Sequence, residues 1–143
     1  MGDTSWRAML AAHHARLRLP LNVFRGREVK STGDGLLAVF DSPTRAVRAA
    51  AEMVRAVQPT DVAVRIGVHT GEIETVGDDV GGIAVHVAAR ILSLAARNEV
   101  LVSSTTRDLV EGSGLLLDDA GTHELKGLTG ARQLFRVSEP AAS

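Results

Sequence analysis

Two groups of opposite charge, Lys30 and Asp34, stand four residues apart in Arg27-Glu-Val-Lys-Ser-Thr-Gly-Asp-Gly-Leu-Leu-Ala-Val-Phe40. Strand-forming residues flank Thr-Gly-Asp-Gly, so the stretch reads as a β-hairpin with Lys30 on one arm and Asp34 at the bend. A cation and a carboxylate on one rigid ribbon could bind a polar ligand or a cation. The plainer reading is a solvated turn, since Gly-Asp-Gly is ordinary hairpin chemistry.

A second pair, His86 and Arg90, interrupts a run that is otherwise apolar apart from Ser93: Ile83, Ala84, Val85, Val87, Ala88, Ala89, Ile91, Leu92, Leu94, Ala95. Four residues apart, the two share one helical face. An arginine in such surroundings needs an anion, a carbonyl or water at a cleft. A phosphate facing Arg90 at an interface is the sharper reading, and a structural salt bridge with a satisfied core histidine the plainer one. His69 and Glu72 close a strand pattern without further metal-type ligands nearby, which favours a structural role. His13 and His14 are adjacent and cannot ligate from one helical face, so packing or solvent contact accounts for them.

These residues need elements to hold them. Trp6, Met9, Leu10, His13 and Leu17 recur at helical spacing, predicting a helix from Asp3 to about Arg18 that Pro20 stops. Ser42 and Pro43 open a second helix, with Ala46, Val47, Ala50, Met53, Val54 and Val57 as its buried stripe. Alternation from Val62 to Val76 predicts a strand, residues 77–82 a loop, and Ile83 to Ala96 a helix. Glu99 to Ser103 reads as a buried strand and Ser104 to Glu111 as a short helix capped by Ser103 or Ser104. Leu115–Leu117 and Thr122–Leu125 read as a strand pair, Gln133–Val137 as a last strand, and residues 138–143 as a tail. Helices over a mixed sheet, an α/β or α+β arrangement, follow from this order.

At 143 residues with 45% hydrophobic content, the chain is most simply one domain. Aromatic residues make up only 3%, so Val, Leu, Ile and Ala must build the core. A net charge of −1 offers no basic field for nucleic acid or an anionic membrane surface. No apolar run approaches the roughly 20 residues that span a bilayer, and no signal-peptide h-region opens the chain, so a cytoplasmic protein is expected. The absence of cysteine excludes disulfides and thiolate metal sites.

Four segments together resemble a known family: Lys30-Ser-Thr-Gly-Asp-Gly35, Arg65-Ile-Gly-Val-His-Thr-Gly-Glu72, Asp79-Val-Gly-Gly-Ile-Ala-Val-His-Val-Ala-Ala-Arg90 and Glu124-Leu-Lys-Gly127. In order and spacing they are similar to the catalytic domain of class III nucleotidyl cyclases, particularly actinobacterial adenylate cyclases, over residues 3–137. The resemblance implies a ferredoxin-like α+β fold, head-to-tail association of two domains as a homodimer or heterodimer, and sites at the interface. It implies that Lys30 donates to purine N1 while Asp79 accepts from the 6-amino group, a polarity that suits adenine and hence ATP. Asp34 matches one of two aspartates that hold Mg²⁺ or Mn²⁺. Arg90 matches the arginine that stabilises charge on the reacting phosphoryl group, and Lys126 a lysine near the terminal phosphates. The implied product is 3′,5′-cyclic AMP.

The chain departs from that pattern twice. His86 stands where the family usually has Asn to orient the ribose. The family's first strand, ending in a Phe-Thr-Asp-Ile-like motif with the other metal aspartate, is missing, because Met1-Gly-Asp-Thr-Ser-Trp6 aligns with the helix after it. That strand would be central, so its neighbours are expected to lie unpaired. The expectation is then either a cyclase domain whose true N-terminus lies upstream, or a catalytically silent module that binds nucleotide or dimerises with a complete partner. A ferredoxin-like binding domain with no nucleotide role is the third alternative.

Overall fold

A computed structural model describes residues 3–32 and 35–138. The first helix, α1 (Asp3–Val23), runs through Pro20 instead of stopping before it. Proline costs a helix one N–H bond and crowds the carbonyl four residues back, but here it falls in the last turn. Leu17 and Leu21, 2% and 1% exposed on either side of it, hold that turn against the core. The exit is closed by Phe24 N–H donating to the Pro20 carbonyl at 3.0 Å and Gly26 N–H to that of Leu21 at 2.8 Å. A Cβ at Gly26 would collide with the side chains of Leu21 and Phe40.

Of the predicted stripe of α1, His13 and Leu17 are buried, joined by Leu21 beyond the expected end of the helix, whereas Trp6 and Met9 lie exposed. Length explains this. At 1.5 Å per residue, the 21 residues of α1 outrun the 15 of α2 (Pro43–Val57), the helix it packs on. The start of α2 is as expected: Ser42 Oγ accepts from Arg45 N–H at 3.2 Å, with Pro43 in the first turn.

The hairpin is also as expected, with β1 (Arg27–Thr32) antiparallel to β2 (Gly35–Val39) and Thr32 opposite Gly35. The long strand expected over residues 62–76 is divided. Only Arg65–Val68 forms β3, while Glu74–Val76 forms β4 and pairs with β5 (Asp79–Gly81). The segment read as a loop is thus half turn and half strand: Gly77, at φ +61°, and Asp78 make a two-residue turn between Val76 and Asp79.

Helix α3 (Ile83–Leu92) ends earlier than Ala96, where the Ser93 hydroxyl donates to the Arg90 carbonyl at 2.6 Å. Then come β6 (Glu99–Ser103), α4 (Ser104–Leu109) capped by Ser103, β7 (Leu117–Glu124) and β8 (Ala131–Val137). The two short strands expected around residues 118–121 are one strand with a bulge. Asp119 Oδ1 accepts from Gly121 N–H at 2.8 Å, and Gly121 sits at φ +91°, so an aspartate turn absorbs the extra residues without ending the strand.

The sheet order is β3-β6-β8-β7, parallel between β3 and β6 and antiparallel elsewhere, which makes the fold α+β. The pairs β1-β2 and β4-β5 stand apart from that sheet. Neighbouring residues of β6 serve two cores. Val100 and Val102 pack with Val47, Ala50 and Val54 of α2, and Leu101 packs with Val87 and Ile91 of α3. No described helix is long and apolar enough to cross a membrane.

Leu134 of β8 is 0% exposed in the α3 core. Leu134→Ala should lower stability by about 2–5 kcal/mol, read as a lower urea midpoint with unchanged slope.

Candidate functional site

Lys30 and Asp79, 49 positions apart in sequence, meet in space: Lys30 Nζ donates to Asp79 Oδ2 at 3.1 Å. Two features bring them there. A bulge between Glu28 and Lys30 shifts the register of β1 and re-aims the lysine. The tight β4-β5 turn puts Asp79 at the first position of β5, the strand that β1 touches. Arg18 of α1 anchors this arm from behind, its Nε and Nη2 reaching the two Glu28 oxygens at 2.7 and 3.2 Å.

Asp79 Oδ1 also accepts from the Val80 N–H at 2.8 Å. That backbone donor first, and Lys30 second, hold its carboxyl below the usual carboxylate range. The group is therefore an ionised acceptor at neutral pH. Both side chains remain about half exposed, at 50% and 55%, so the pair is open to a ligand.

His86 and Arg90 lie one turn apart on α3, both half-buried. A Cβ at Gly127 would come within 3.4 Å of His86 Nε2, so the turn 125–128 lies against the imidazole and carries exposed Lys126 beside it. That turn is closed by Leu128 N–H donating to the Leu125 carbonyl at 3.0 Å, with Gly127 at φ +81°. Arg90 Nε is buried with no hydrogen-bond partner among the described residues. Because α3 follows β5 directly and packs on it, Asp79, His86 and Arg90 belong to one continuous piece of chain.

Asp34 lies outside the described residues. Among those described, no group of three or more His, Asp or Glu side chains could hold a metal ion. The structural reading of His69 holds: its Nδ1 is 2.8 Å from Ser103 Oγ, the cap of α4, and Thr70 Oγ1 is 2.9 Å from Thr106 Oγ1. Burial first, then nearby Arg132, pushes the His69 pKa down.

Sequence reasoning missed the contact of Gly127 with His86 and the support that Val80 N–H gives Asp79. Only the Glu124-Leu-Lys-Gly127 segment of the family resemblance pointed toward the first, and no local signal marks the second.

The family model of the adenylate and guanylate cyclase catalytic domain matches residues 4–138. A Rhizobium meliloti protein described as a candidate adenylate cyclase is 35% identical over 136 residues, 88% of this chain and 23% of that protein. An uncharacterized Mycobacterium tuberculosis protein is 31% identical over 111 residues, 76% of this chain and 39% of that protein. The chain thus spans well under half the length of these relatives. The crystal structure of an adenylate/guanylate cyclase/hydrolase from Silicibacter pomeroyi superposes with TM-score 0.87 at 25% identity, covering 98% of this chain and 87% of that one. The catalytic core of a rhodopsin-guanylyl cyclase with converted specificity, in complex with ATPαS, has the same fold at TM-score 0.87 and 21% identity, covering 96% and 85%.

A depressed His69 pKa means that the unfolded chain takes up a proton more readily than the folded one. Stability from this group is complete above about pH 6.5, the ordinary histidine value, and is lost as pH falls from there through the folded pKa. In His69→Asn, unfolding midpoints measured from pH 7.5 downward should show a shallower acid slope than the parent.

Proposed function

This chain belongs to the adenylate and guanylate cyclase catalytic domain family, and from that premise we propose that residues 1–137 act on ATP to form 3′,5′-cyclic AMP and pyrophosphate. The observation that carries this reading is the Lys30–Asp79 pair, a donor and an ionised acceptor side by side and open to solvent. An adenine edge offers an acceptor at N1 and a donor at the 6-amino group, the complement of that pair. Guanine offers a proton on N1 and a carbonyl at position 6, which would set donor against donor and acceptor against acceptor.

Arg90 then faces the α-phosphoryl group, its buried Nε kept for an oxyanion instead of a protein acceptor. His86 donates to the ribose in the role the family gives to Asn, and Lys126 meets the terminal phosphates. The ribose 3′-oxygen attacks the α-phosphorus, the bond to the pyrophosphate oxygen breaks, and the 3′-hydroxyl proton leaves to solvent.

Asp34 is a hard oxygen donor of the kind Mg²⁺ and Mn²⁺ take, and Mg²⁺ is commonly held by one or two carboxylates together with substrate phosphates. Bound there, the cation would neutralise charge on the departing pyrophosphate. In a head-to-tail dimer, Asp34 of one protomer would serve the nucleotide held by Lys30, Asp79 and Arg90 of the other. His86, standing where the family usually has Asn, favours one further reading, a silent module that binds ATP without turnover.

Cyclic AMP formation from ATP with Mn²⁺ tests the proposal. Arg90→Ala should lower the rate about 10²- to 10³-fold, Asp34→Ala should abolish turnover while ATP still binds, and Lys30→Ala should weaken ATP binding. Binding that needs Lys30, with no product in the parent, would establish the silent module. Absence of both binding and product in folded protein would exclude both readings.

A further inference from the structure

An unbroken strand would send residues 28 and 30 to the same face. In β1 the register jumps instead: Glu28 lies opposite Ala38 and Lys30 opposite Leu37, which leaves Val29 as the extra residue of a bulge. Opposed residues of an antiparallel pair share a face. Glu28 therefore goes with Ala38 and Lys30 with Leu37, on opposite faces of the hairpin. The Ala38 face, with Leu36 and Phe40, rests on Leu17 and Leu21 of α1. From the other face Lys30 reaches Asp79.

A slip of one residue would undo this, because it moves each side chain of the slipped segment to the other face. What opposes the slip comes from α1. Arg18 Nε donates to Glu28 Oε1 at 2.7 Å and Nη2 to Oε2 at 3.2 Å, a two-pronged grip that fixes direction as well as distance. Arg18 is held in turn by its helix, through buried Leu17 and Leu21. The hydrogen bond from Arg18 keeps the Glu28 carboxyl below the usual carboxylate range, so the grip is charged at neutral pH. With side chains 42% and 27% exposed, such a pair contributes little to stability. Its effect is on position.

We propose that Arg18 and Glu28 are positioning residues: by holding Glu28 on the α1 face they fix the bulge at Val29 and so aim Lys30 at Asp79, which sets the preference of the site for adenine over guanine. Both act through Lys30 and neither touches the purine. The aim of Lys30 stands on the hairpin alone, whereas the purine preference rests on the nucleotide reading of the site.

Two measurements on the protein test this, with Glu28→Ala and Arg18→Met as independent variants. In a carboxyl NMR titration without nucleotide, each should raise the Asp79 midpoint toward its value in Lys30→Ala, because Lys30 is one of the two donors that depress it. In binding assays, each should weaken ATP about fivefold, the scale of one exposed ion pair. Each should leave GTP unchanged and add nothing once Lys30 is replaced by Ala. A contact that merely supported the fold would lower the urea midpoint and leave the Asp79 titration where it was. The proposal is overturned if Asp79 titrates as in the parent in both folded variants, or if ATP binding falls as far in the Lys30→Ala background as in the parent. A parent that binds no ATP would overturn the nucleotide reading and the purine preference with it, while the Asp79 titration still decides the aim of Lys30.

Discussion

Val100, Leu101 and Val102 of β6 meet two cores at once, and the arrangement of the molecule follows from that constraint. Successive side chains of a strand point to opposite faces, so a run of three apolar residues requires a helical layer on each side. The α2 layer supplies one and the α3 layer the other. The edges of β6 are also taken, by β3 and β8. With β6 held on four sides, β3 is placed under α3, and the β4-β5 hairpin that leads into α3 is brought to the β1 arm, where Lys30 finds Asp79.

Local chemistry made much of the fold legible. Ser42 and Pro43 announced α2, Gly-Asp-Gly announced the first hairpin, and the unbroken apolar run of β6 announced a buried strand. The misreadings share a cause. Pro20 reads as a stop only when the packing of Leu17 and Leu21 across it is invisible. Residues 62–76 alternate well enough for one strand, but the tight turn at Gly77 and Asp78 gives the last three a partner of their own. The strand β7 reads as two because the aspartate turn at Asp119 looks like a terminus until β8 is seen pairing on both sides of it.

The site was legible in a different way. Nothing in spacing joins Lys30 to Asp79 across 49 positions; the family resemblance alone put them on one ligand, and their contact depends on a bulge and a two-residue turn in separate hairpins. His86 and Arg90 could be placed on one helical face from their spacing. The turn that lies against His86 is brought in by β7 and β8, long-range pairings that no local pattern encodes.

The position of Trp6 has a practical consequence. It is the chain's one tryptophan, there is no tyrosine, and its indole stands 55% exposed on the overhanging start of α1. Near-ultraviolet absorbance and intrinsic emission therefore come almost wholly from a single fluorophore already wetted in the folded state. Emission will shift little to the red when the cores melt. A shift to the blue will signal instead that something has settled over the exposed face of that helix around Trp6.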